Sequence, residues 1–128
     1  MSKDLRNPLA RARGLGSAKE GVSHWMLQRV TALALVFLTL WFLCTLLGLL
    51  HADYATARAT LARPWNAVLA IAFIVTMFRH AVLGLQVVIE DYVHTRWLEV
   101  ASLVLIKFIA VLASLAGVLA VLRVALGS

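Results

Sequence analysis

The chain has 128 residues, of which 62 % are hydrophobic and 14 % charged; 12 Lys plus Arg stand against 6 Asp plus Glu, for a net charge of +6. An average soluble domain carries about 45–50 % apolar and about 25 % charged residues, and a protein this small needs a larger polar share to cover its surface. The composition therefore excludes an ordinary soluble enzyme domain and a disordered chain, which needs low hydrophobicity, and it places the protein in a membrane.

The first element, residues 1–22, is polar and basic: Lys3, Arg6, Arg11, Arg13 and Lys19 face only Asp4 and Glu20. Ahead of an apolar run, such a segment reads as a cytoplasmic flank against anionic lipid rather than a nucleic-acid surface. It does not read as a signal peptide, because the polar part is long, the apolar run exceeds 20 residues and no small-x-small cleavage site follows. Residues 23–128 are read as the membrane domain, with spans at about 25–50, 65–90 and 98–123.

The first span is clearest from Val30 to Leu50, 21 residues without a charge, or about 30 Å of helix. Ser23 is placed to cap it, Trp25 and Met26 extend it into the interface, and Cys44 reads as a small packing residue. Residues 51–65 form a connection with room for a short interfacial helix, and Pro64-Trp65 predicts the start of the next element. The second apolar stretch, 66–89, is interrupted by Arg79 and His80; a polar turn, EDYVHTRWLE, follows with Tyr92 and Trp97 at interfacial height. The third stretch, 100–122, contains Lys107, placed to snorkel toward the nearer interface. The prediction is an all-α membrane protein with three transmembrane helices. With the N-terminus inside, the cytoplasmic side holds the five early basic residues, Arg29 and Arg96, and the other side holds Arg58, Arg63 and Arg123, which favours N-in, C-out.

An ionisable side chain deep in a span is costly, and by default it marks function. His80 lies about ten residues from Glu90, roughly 15 Å down the helix and close to mid-bilayer. On a 3.6-residue period His80, Gly84, Val87 and Asp91 share one face. Neutral imidazole is the usual nitrogen ligand of haem iron, and a glycine one turn away lets a flat macrocycle approach the backbone. An interhelical hydrogen bond and a polar pathway are the alternative roles. Arg79 points about 100° away and needs a carboxylate, a propionate or a route to water. Asp91 and Tyr92, at the interfacial end, can hold a polar headgroup whose tail stays in lipid, as a quinone has; a plain polar helix end is the alternative. Arg29 sits at a matching height on the first span, where it either joins that site or pairs with Asp91. His24, His51 and His94 read as surface or turn residues. The sequence contains no HExxH, CxxC, glycine-rich phosphate loop or serine elbow.

Two segments, SHWMLQRVTA at 23–32 and RHAVLGLQVVIEDYVH at 79–94, resemble the D-type hydrophobic membrane anchor of succinate dehydrogenase (respiratory complex II), of the haem b-containing kind. His80, Asp91 and Tyr92 match that family in type and interval, Gly84 and Gln86 fit the same segment, and Arg29 matches the first-span arginine. The resemblance implies a non-catalytic anchor in a bacterial inner membrane. His80 would be an axial ligand of haem b, and a second membrane anchor, of the C type, would supply the other histidine and complete the helical bundle. An iron–sulfur subunit and a flavoprotein subunit, which carry the clusters and FAD, would dock on the two anchors. Ubiquinone would bind near the cytoplasmic face, with Tyr92 on one carbonyl, Asp91 orienting that region, and Arg29 near the propionates or the quinone. No general family role is mapped onto Arg79, and none is carried over to His24. The competing readings are a fumarate reductase anchor, and a small transporter or channel in which Arg79, His80 and Lys107 line a polar path.

Overall fold

The computed structural model describes residues 8–12, 14 and 19–127. Five helices follow one another: α1 (Pro8–Ala12), α2 (Lys19–Gly48), α3 (Tyr54–Ala62), α4 (Pro64–Tyr92) and α5 (Arg96–Ala125). Three of them are long and apolar enough to cross a membrane, with 28 qualifying residues in α2, 29 in α4 and 30 in α5. At 1.5 Å per residue these are about 42–45 Å long, so each overshoots a 30 Å hydrocarbon layer into both interfaces. Of the early basic residues, Lys3, Arg6 and Arg13 lie outside the described residues.

Each boundary has a local cause. Helix α2 starts at Lys19, so Ser23 lies within it and does not cap it, contrary to the expectation from sequence. Asp53 caps α3, its Oδ1 accepting from the Thr56 backbone N–H at 2.9 Å. Hydrogen bonds from Thr56, first from its side chain and then from its backbone, hold the Asp53 carboxyl below the usual carboxylate range. Arg63 is forced out of helical geometry (φ −58°, ψ 132°) as the residue before Pro64, and Pro64 opens α4, where its missing N–H is no loss. The Asn66 side chain donates to the Thr60 carbonyl at 2.8 Å and ties the two helices at this corner. The polar turn shrinks to residues 93–95: Glu90, Asp91 and Tyr92 finish α4, and Arg96 starts α5. Gly127 closes α5 at φ 76°, a left-handed conformation that glycine adopts without strain.

Helix α4 packs against both α2 and α5, which do not touch each other, and α3 lies against α4 and α5. Phe42 and Phe73 stack between α2 and α4, with ring centroids 5.1 Å apart. Little is buried: among the described residues only Thr31, Ala67, Val82 and Leu83 count as interior. The chain exposes 9847 Å², where a soluble monomer of its 14.0 kDa would expose about 6,700 Å². Most long aliphatic and aromatic side chains face outward, as they do when lipid or other helices take the place of water. Cys44 is among the exposed residues, so the packing role expected for it is not met within this chain.

One close approach sets the α4–α5 spacing. A Cβ added at Gly117 would lie 3.2 Å from Ile74 Cγ2 and 3.3 Å from its Cδ1, tighter than ordinary contact. Gly117→Val is therefore expected to push α4 and α5 apart at a cost of about 1–3 kcal/mol. Thermal unfolding in detergent checks this; a Tm equal to that of the native chain would show that the helices do not need the glycine there.

Candidate functional site

The N-terminal half of α2 and the C-terminal half of α4 run side by side and enclose the candidate site. His24, Gln28 and Thr31 form one stripe of α2 at i, i+4 and i+7, the spacing of a single helix face. His80 and Gly84 sit opposite on α4, also four residues apart. His80 is half-buried, and its Nδ1 lies 3.0 Å from the Thr31 hydroxyl. Toward the N-terminus of α2, His80 borders a groove of about 410 Å³ that includes His24, Gln28, Arg29, Gly84 and Val87. Toward the C-terminus it borders a second groove of about 460 Å³ lined by Leu35, Val36, Thr39, Leu40 and Leu43; Ala32 and His80 are common to both. His80 thus stands in the middle of a trough that is apolar on one side and polar on the other.

Two atoms in the polar half lack a hydrogen-bond partner: His24 Nε2 and Gln28 Oε1, both buried. Buried polar atoms are costly when unpaired, so an orphaned pair beside a histidine points to a ligand with a polar edge. Its place ahead of the first apolar run predicts a surface position for His24. The structure corrects this, because α2 begins before it and turns it inward over Gln28. The signal available in the sequence was its helical spacing to Gln28 and Thr31. Gly84 leaves open space on its side of the groove: an added Cβ would meet only Gln28 Nε2, at 3.8 Å.

The face of α4 predicted to join His80, Gly84, Val87 and Asp91 is assembled in part. The first three line the polar groove, whereas Asp91 and Tyr92 are exposed at the end of the helix, and Tyr92 is 78 % accessible. They lie 11 and 12 residues from His80, roughly 17–18 Å along the axis. Arg29 makes no ion pair with Asp91; its guanidinium lies over the Trp25 ring, 5.6 Å from the centroid, while still lining the groove. Gln86 donates to Glu90 at 2.8 Å on the exposed side. Arg79 and Lys107 belong to a different concavity, about 390 Å³ between α4 and α5, which they line with Ser114. Arg79, His80 and Lys107 therefore do not line one path. Among the described residues neither cation has an acidic partner; the ion pair there joins Arg96 to Glu99 at 3.7 Å. No three His, Cys, Asp or Glu side chains converge among the described residues, so His80 is a single candidate ligand and not part of a metal cluster.

Three bilayer-length helices with a histidine in an open, two-sided trough define a multi-pass membrane protein whose polar site faces outward from its own packing. The chain belongs to the succinate dehydrogenase/fumarate reductase transmembrane subunit family, whose profile matches residues 3–114. It is a membrane-anchoring, non-catalytic accessory subunit of a complex of that type. It is 37 % identical over 121 residues to a succinate dehydrogenase hydrophobic membrane anchor subunit of Rickettsia bellii, covering 94 % of this chain and 97 % of that protein. A protein of the same description from Rickettsia conorii is 31 % identical, over 94 % of this chain and 96 % of the relative. One from Paracoccus denitrificans is 32 % identical over 66 % of each. No solved structure matches the chain.

Proposed function

We propose that the chain is the D-type anchor of a bacterial succinate:ubiquinone oxidoreductase, helping to hold haem b and ubiquinone and to fix the catalytic subunits to the inner membrane. The observation that carries this reading is the trough centred on His80, apolar toward Leu43 and polar toward His24, Gln28 and Arg29. A haem has that shape and polarity: a flat apolar macrocycle with an acidic edge. The residues fit it. His80 would hold the iron, Arg29 and the orphaned His24 Nε2 would meet the propionate edge, and Gly84 leaves room for the ring. When bound, the haem supplies a one-electron carrier within the membrane. The other iron-holding histidine is assigned to a partner anchor of the C type, which would pack on the open face and complete the bundle.

Ubiquinone is assigned to the exposed end of α4. Its reduction to quinol takes two electrons and two protons; the electrons come from succinate oxidised to fumarate in a flavoprotein subunit and reach the quinone through an iron–sulfur subunit. Tyr92 donates a hydrogen bond to one quinone carbonyl, and Asp91 orients that region at the water-facing end, where protons are available. The relatives are named for succinate dehydrogenase, which supports succinate oxidation over fumarate reduction. Seven basic residues on the N-terminal side against three on the other support N-in, C-out.

The test is purification of the tagged chain from its native membrane. A second small membrane subunit, an iron–sulfur protein and a flavoprotein are expected to co-purify with it. A chain isolated at full yield without FAD or iron–sulfur clusters would overturn the proposal.

A further inference from the structure

We infer that Thr31 fixes the tautomer of His80, so that Nδ1 carries the proton and Nε2 keeps the free electron pair on the groove side. Thr31 is 7 % exposed, and its hydroxyl has three neighbours: the Leu27 carbonyl at 2.8 Å, the Gln28 carbonyl at 3.0 Å and His80 Nδ1 at 3.0 Å. A hydroxyl has one proton and two lone pairs. With the proton on a carbonyl of the preceding turn, the nearest acceptor, the oxygen can only accept from the ring, so Nδ1 is the protonated nitrogen. The reverse arrangement puts the ring proton on Nε2, which makes no hydrogen bond among the described residues, and takes the hydroxyl proton away from its closest partner, the Leu27 carbonyl.

The back-bond to the previous turn also holds the Thr31 side chain in one rotamer, because a β-branched residue in a helix has few alternatives. The result is a short relay: main-chain carbonyl, hydroxyl, imidazole, open lone pair. A metal bound through Nε2 needs this tautomer, and the partner on the other nitrogen sets ring orientation and raises basicity. Thr31 is thus a positioning residue acting through His80. The tautomer assignment concerns the chain alone; its consequence for haem rests on the proposed function.

The first measurement is ¹⁵N NMR of the histidine-labelled full chain in detergent, with His80 assigned by its loss in His80→Gln. The expected spectrum has protonated Nδ1 and bare Nε2, and in Thr31→Val that preference is lost. In the purified complex, Thr31→Val is expected to weaken haem retention by about ten-fold or more and to shift the low-spin EPR signature, while Thr31→Ser restores both. A native chain with the proton on Nε2 overturns the inference, as does a Thr31→Val complex with unaltered haem retention and EPR signature. If the tautomer is as assigned but His80→Ala leaves the haem spectrum intact, haem ligation by His80 fails and the tautomer assignment stands.

Discussion

His80→Ala is expected to abolish the bis-histidine haem b spectrum of the complex while leaving the anchor folded. Loss of an outer hydrogen-bond partner costs roughly 10–100-fold in metal affinity, and loss of the ligand itself costs more. The fold tolerates the change because His80 is only half-buried and its one hydrogen bond goes to Thr31. That hydroxyl keeps its donation to the Leu27 carbonyl, so no new buried donor is left unpaired. The buried residues of α4 are Ala67, Val82 and Leu83, and Phe73 stacks on Phe42; the substitution alters none of these side chains. Optical spectra of the dithionite-reduced complex read the outcome, with flavin content as the measure of assembly. A native haem spectrum at native flavin content would remove His80 as a ligand.

Tyr92→Phe tests the other end of α4. Removing one phenol hydrogen bond is worth about 0.5–1.5 kcal/mol net, so quinone reduction is expected to fall roughly two- to ten-fold, chiefly through a raised KM for quinone. Tyr92 is 78 % exposed and makes no side-chain hydrogen bond among the described residues, so the substitution removes nothing that the described fold uses. Succinate oxidation with a water-soluble electron acceptor, which bypasses the quinone, is expected to stay at the native rate. Unchanged quinone KM and kcat would overturn the assignment of the phenol to the quinone.

The architecture was largely legible because lipid imposes a length and an apolar composition that few other folds satisfy. The helix ends were less so. The helices that carry the expected spans of about 25–50, 65–90 and 98–123 run over Lys19–Gly48, Pro64–Tyr92 and Arg96–Ala125, because a helix can persist into the hydrated interface, where charge no longer counts against it. Pro64 was readable since it acts on its own backbone and that of its neighbour; Ser23 was misread since capping depends on where the helix has already begun. His80 declared itself by being polar in an apolar run, whereas His24 lies just before such a run and looks solvated until the α4 face is placed against it. Arg29 and Asp91 match in height, but height alone does not fix azimuth: the guanidinium turns to Trp25. Thr31 gave no sign, because a threonine among apolar residues is ordinary until its distance to an imidazole is known.

The order of contacts has a consequence for assembly. Since α4 alone packs closely against both other spanning helices, the three form an open row and do not close into a triangle of mutual contacts. A row has no enclosed axis, and its members can be engaged from the side without parting any pair. The α4–α5 pair meets closely at Gly117 and Ile74, whereas both grooves beside His80 lie on the other edge of α4, against α2, and leave that edge open to a further helix.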